Sequence, residues 1–235
     1  METHTKMSKV QMNPALVGST VVLVANEINV SIFSQLWLHK NEVILEQEFT
    51  PETVISPGAV FVPTERFVLT VLPNRLQLQI VSPERVDAYD DVQRVLGSIL
   101  RLLPHTPFTA IGLNFDGVLP PSAERAFSEW NPAMFAVPAL AEVIPADAEN
   151  RRFGCYFSFD TLGFRAKVDI KPIQTEVVSP APPAGSPTGQ ELMLVSCNFH
   201  CDLQGEKRND IALEVLMKWQ SVHSKASGIL VRLSQ

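Results

Sequence analysis

Apolar and polar residues alternate with a period of two along several stretches of the chain, the signature of half-buried strands. Gly18 to Ala25, GSTVVLVA, is a β-branched apolar run that predicts a buried strand. From Arg66 to Val81, Phe67, Leu69 and Val71 alternate up to Pro73-Asn74, and Leu76, Leu78 and Ile80 alternate away from it. Proline fixes φ and asparagine tolerates the left-handed region, so this pattern predicts a hairpin. Thr109 to Asp116 alternates again, and Arg152–Asp160 with Phe164–Ile170 predicts a second hairpin around Asp160-Thr161-Leu162-Gly163. Val43 to Phe49 alternates weakly and suggests another strand.

Three stretches switch to helical spacing. Between Asp87 and Leu103, Val92, Val95, Leu96, Ile99 and Leu103 share one helical face. Asp87, Asp90 and Asp91 sit in or near its first turn, where the helix dipole favours anions, and Pro104 ends it. From Asn209 to Lys225, Ile211, Val215, Trp219 and Val222 face inward, with Glu214 and Lys218 as an i,i+4 pair. Asn29 to Lys40 has helical spacing with Asn29 as the N-cap, and Ser122 to Trp130 suggests a short helix.

The expected fold class is therefore α+β: a largely antiparallel sheet with two long amphipathic helices packed on one face. Residues 1–16 read as a flexible arm and residues 17–235 as a single domain. Ser179 to Gly189, SPAPPAGSPTG, reads as a Pro-rich loop between strands. Each half, 17–119 and 150–235, offers antiparallel strands followed by one long helix, so a duplicated sheet-plus-helix unit is one possibility. Generic α+β similarity is the other.

The run Gln190 to Leu203, QELMLVSCNFHCDL, carries the most chemistry. Met193, Val195, Cys197, Phe199, Cys201 and Leu203 form one apolar face. The opposite face begins with Leu192 and Leu194 and turns polar at Ser196, Asn198, His200 and Asp202. A strand with this pattern is buried on both sides at its start and on one side at its end. It also separates the cysteines from the histidine, so no metal site is expected. Asn198, His200 and Asp202 are the candidate binding residues, with His200 able to titrate near neutral pH and Asp202 able to orient it. A solvated strand face accounts for the same row.

Composition narrows the function classes. The net charge of −6 argues against broad attraction to nucleic acid or anionic membrane. A local basic face would require clustering of Arg66, Arg75, Arg151 and Arg152. No window is apolar for the roughly 18 residues that a membrane-spanning helix needs. Three cysteines in 235 residues do not form a disulfide framework, and the expected compartment is a reducing cytosol. The chain lacks a nucleophile elbow, a phosphate-cradling loop, a dinucleotide fingerprint, H-E-x-x-H and C-x-x-C. No catalytic residue and no cofactor is implied.

FVLTVLPNRLQLQIV, YDDVQRVLGSILRLL and FTAIGLNFDGV together resemble the centre of a sporadically distributed, uncharacterised bacterial α+β family. LVSCNFHCDL with NDIALEVLMKWQSVHSKA is similar to that family's closing strand-helix unit. The resemblance covers about half the chain and implies accessory systems such as phage-related or defence loci. The expected function is a non-enzymatic interaction protein, a subunit or adaptor with a protein partner or self-association. The alternative is a small-ligand binder or enzyme with a pocket between sheet and helices, lined partly by Asn198, His200 and Asp202.

Overall fold

The computed structural model describes residues 13–85, 87–121, 125–141, 143–145, 147–176 and 189–235. The first twelve residues of the expected arm, and the Pro-rich loop up to residue 188, lie outside the described residues.

One nine-stranded antiparallel sheet organises the chain. Its strands are β1 (Ala15–Ala25), β2 (Val54–Ile55), β3 (Val60–Pro63), β4 (Phe67–Leu72), β5 (Arg75–Ile80), β6 (Phe108–Leu119), β7 (Cys155–Thr161), β8 (Phe164–Glu176) and β9 (Gly189–Asp202). Their spatial order is β2-β3-β4-β5-β1-β6-β9-β8-β7. Setting β2 aside, the order is symmetric about the β1–β6 pair. On each side a central strand is followed in sequence by three meandering strands, the last of which returns to pair with the first. The second round opens at Phe108, the start of β6.

The register explains why one face is buried. Val62, Leu69, Leu78, Val21, Leu113, Phe199, Ala166 and Phe159 are successive cross-strand neighbours from β3 to β7. All but the last are fully buried, and Phe159 packs against the same cluster. Helical segments complete this core: α1 (Gln35–Lys40), α2 (Ala88–Val92), α3 (Ser98–Leu102), α4 (Phe127–Phe135), α5 (Pro138–Ala141), α6 (Arg208–Met217) and α7 (Trp219–Leu233). Val92, Val95, Leu96 and Ile99 are fully buried, as the helical spacing predicts. Between α2 and α3, Gln93–Gly97 forms a π-helical turn, so the expected single helix is three segments.

Four local expectations are corrected. Asn29 caps no α-helix; it precedes a 3-10 turn at Val30–Ile32, and Ser34 caps α1 by accepting the Trp37 N–H at 3.2 Å. Val43 to Phe49 forms no strand: Val43 and Ile44 are buried in a coil leading to a 3-10 turn at Glu46–Glu48. Of the helix expected over 122–130, residues 122–124 lie outside the described residues and α4 begins at Phe127. Glu214 and Lys218 do not pair, because Lys218 Nζ reaches the Leu162 carbonyl at 3.3 Å and its neighbour Lys225 the Thr161 hydroxyl at 2.9 Å. Both lysines thereby tie α6 and α7 to the β7–β8 turn.

Candidate functional site

Because side chains alternate across a pleated sheet, the face opposite the core is defined by the same register. Val54, Phe61, Thr70, Gln77, Val22, Gly112, His200, Arg165 and Asp160 are successive neighbours on it, from β2 to β7. No residue of this row belongs to the core cluster. Its two ends differ in chemistry. Over β2 to β1 the face presents Val54, Phe61, Thr70, Leu72, Gln77, Val22 and Val24, with Arg75 the one charge on β4, β5 and β1. Phe61 is 41% exposed, Val24 40% and Val54 55%. Over β6 to β7 it presents carboxylates, lysines and arginines.

The three sequence-predicted residues stand on this second part, all on β9. The Asn198 amide donates to Asn114 Oδ1 across the β6–β9 pair, and Asn114 in turn donates to the Thr20 carbonyl at 3.3 Å. One step along, the Ser196 hydroxyl donates to Asp116 Oδ1 at 2.6 Å. His200 Nε2 lies 2.9 Å from Asp202 Oδ1, two residues on along the same strand. Gly112 of β6 and Arg165 of β8 flank His200. The structure thus brings His200 and Asp202 together but turns Asn198 toward β6. None of the three lines a pocket between sheet and helices, since all face away from the core.

Cys197 shows the other side of the same strand. It is 3% exposed in the core, and burial, with Asp116 adding to it, pushes its thiol up to about 12. A thiol so displaced holds its proton and is a poor nucleophile or metal ligand. Among the described residues, no three His, Cys, Asp or Glu side chains gather as a metal site.

A second cluster escaped the sequence. Asp91, expected as a helix-dipole anion, is 3% exposed and is the hub of an ion network. Arg66 Nε donates to both its oxygens at 3.2 and 3.1 Å, Arg85 Nη2 donates at 2.6 Å, and Arg94 Nη2 lies 3.5 Å away. Arg94 also grips Glu48 through two bonds of 2.9 and 2.7 Å, while Glu48 accepts the Leu45 N–H at 2.8 Å. Asp87 accepts from Arg66 and Arg85, each at 2.8 Å. Beside the network lies an open recess of about 620 Å³, lined by Leu45, Thr50, Thr64 and Asp90 together with Glu48, Arg66, Asp91 and Arg94 of the network. The signal for it was thin: three acidic and three basic residues dispersed between Glu48 and Arg94, joined mainly by the folded chain.

The arginines that a nucleic-acid face would need are dispersed. Arg66 belongs to this network near β4, whereas Arg152 pairs with Glu191 beside β9. Among the described residues, no helix is long and apolar enough to cross a membrane. No protein-family model matches the chain, and no curated protein matches it in sequence.

Proposed function

We propose that this chain is a non-enzymatic interaction protein whose sheet face opposite the core binds a protein partner across β3, β4, β5 and β1. The observation that carries the reading is the near-absence of charge on that part of the face. Protein interfaces are distinguished by depletion of charged residues at their centre, with a polar rim around it. Val22, Val24, Phe61 and Leu72 supply the apolar centre; Thr20, Thr70, Gln77 and Gln79 supply hydrogen-bonding groups between them. Asn198, His200, Asp202 and Asp116 then form a rim. The complementary occupant is a protein surface of apolar and amide side chains with few charges.

Such a chain serves as a subunit or adaptor. The resemblance to a bacterial family supports a bacterial or phage-associated assembly, and three free thiols suit a reducing cytosol. A net charge of −6 and arginines engaged with carboxylates favour protein over nucleic acid as the partner.

The test is photo-crosslinking in the native cell from residues 22, 61 and 77, with residue 217 on the helical side as control. A partner captured from the sheet positions alone, and lost on Val22→Glu, is the expected result. His200→Ala, at the rim, should weaken capture far less. Equal capture from residue 217, or a nucleic acid or small ligand bound at the sheet face instead, would reject the reading.

One observation favours a small-ligand site instead: the recess beside Asp91 adjoins a π-helical turn, a feature frequent at functional sites. Its charged groups, however, are largely spent on one another. A metabolite that raises the wild-type Tm but not that of Arg66→Ala would support this second reading.

A further inference from the structure

One edge of the sheet is guarded and the other is not. β2 has two residues and lies between Pro51 and Pro57, both devices that blunt a strand edge. β7 has seven residues, CYFSFDT, with no lysine, no proline and an unbroken register against β8. Among the described residues nothing pairs with its outer edge. Tyr156 is 61% exposed and Phe157 40%, and the Phe157 and Phe159 rings stack with centroids 6.2 Å apart. Long, flat, apolar edges of this kind invite another strand.

The turn fixes which backbone groups are free. Leu162 and Gly163 form a two-residue loop, so Thr161 and Phe164 are its closing hydrogen-bonded pair. Alternation then turns the N–H and C=O of Cys155, Phe157 and Phe159 toward β8, and those of Tyr156, Ser158 and Asp160 outward.

We infer that this edge joins β7 of a second copy, antiparallel, about a two-fold axis through Ser158. In that register Ser158 meets its own copy and Tyr156 meets Asp160, so every outward N–H finds an outward carbonyl. Phe157 meets Phe159 in the closely spaced pairs, where aromatic cross-strand contacts are strongest. The strand's one charge, Asp160, faces a tyrosine. Centring the axis on Asp160 would oppose two carboxylates, and centring it on Tyr156 would leave Asp160 unpaired. The palindrome Phe-Ser-Phe is what commits the edge to a second copy: an isologous interface requires a self-complementary patch. The two sheets would become one, with the faces opposite each core continuous.

Sedimentation of the full chain should give twice 26.0 kDa. Ser158→Pro deletes an outward N–H while leaving the ladder to β8 intact, and Phe157→Lys guards the edge by charge; each should yield a monomer with unchanged circular dichroism. Ser158→Cys, in a chain with Cys155→Ser and Cys201→Ser, should form an intersubunit disulfide, since the paired Cα atoms lie about 5.5 Å apart. A wild-type monomer at micromolar concentration, a dimer that survives both edge variants, or a Ser158→Cys chain that does not cross-link would each overturn the inference. Because the partner site uses the far part of the sheet face, capture from residues 22 and 61 reports on that site separately.

Discussion

At the scale of single residues, the largest electrostatic commitment is Asp91. Three arginines converge on one buried carboxylate while keeping partial access to water themselves. Removing the shared anion leaves their charges facing one another, so Asp91→Asn should destabilise the fold by about 3 kcal/mol, the low end for a broken buried pair. Asp87 differs because it is exposed. Hydrogen bonds from Arg85, then Arg66, hold its carboxyl below the ordinary range. Its folded pKa is thus lower than its unfolded one, so its stabilisation is complete above about pH 4 and is lost as pH falls through the folded value. Asp87→Asn should therefore lower stability at neutral pH and flatten the acid limb, the two chains converging at low pH. Urea titrations from pH 7 down to pH 2 check both statements; an acid limb unchanged in Asp87→Asn would show that the pairing contributes nothing.

At the scale of elements, periodicity made most of the sheet legible. The β4–β5 hairpin alternates cleanly on both sides of Pro73-Asn74, and each strand buries the residues the pattern names. β9 was also legible: on its outer face Leu192 is 1% exposed, Leu194 to His200 are half-buried and Asp202 is exposed, although burial falls already at Leu194, before the sequence turns polar at Ser196. Val43 and Ile44 misled because they are buried by packing into the core cluster from a coil, where Arg94 donates to the Val43 carbonyl at 3.0 Å, rather than by strand pairing. The Asp91 network was invisible for a related reason, since Arg66, Arg85 and Arg94 meet it from three separate segments. Gly117 shows a constraint of the same kind. An added Cβ there would lie 2.3 Å from Leu230 Cδ1, so the Leu230 side chain of α7 occupies the space that a side chain at residue 117 would need. Gly117→Ala should cost about 1–3 kcal/mol through overpacking. Adding Leu230→Ala should cost less than the sum of the two single changes. Strict additivity in the double-mutant cycle would show that the helix and strand do not meet there.

At the scale of the whole molecule, the strand order asks whether two four-strand sets behave as one body. Each set has its own helices, so separate unfolding is a physical option. Three observations oppose it. β1 and β6 pair over ten positions, from Ala15–Val118 to Ala25–Phe108, with two register shifts. The row Leu78, Val21, Leu113, Phe199 crosses that seam fully buried. Below it, Phe115 of β6 packs against Trp219 and His223, and His223 Nε2 reaches the Pro83 carbonyl at 2.9 Å, tying α7 to the loop after β5. Opening the seam would expose apolar surface from both sets at roughly 25 cal/mol per Å², a cost neither set recovers alone. Denaturation should therefore be a single cooperative transition. Trp37, packed on Phe33 beside the first set, and Trp219, in the second, are built-in reporters. Variants retaining one of these two tryptophans, with Phe at the other two tryptophan positions, should report the same denaturant midpoint once each is referenced to its own circular dichroism curve. A Trp37 signal that melts apart from the Trp219 signal would mean that the β1–β6 seam joins two independently folding units.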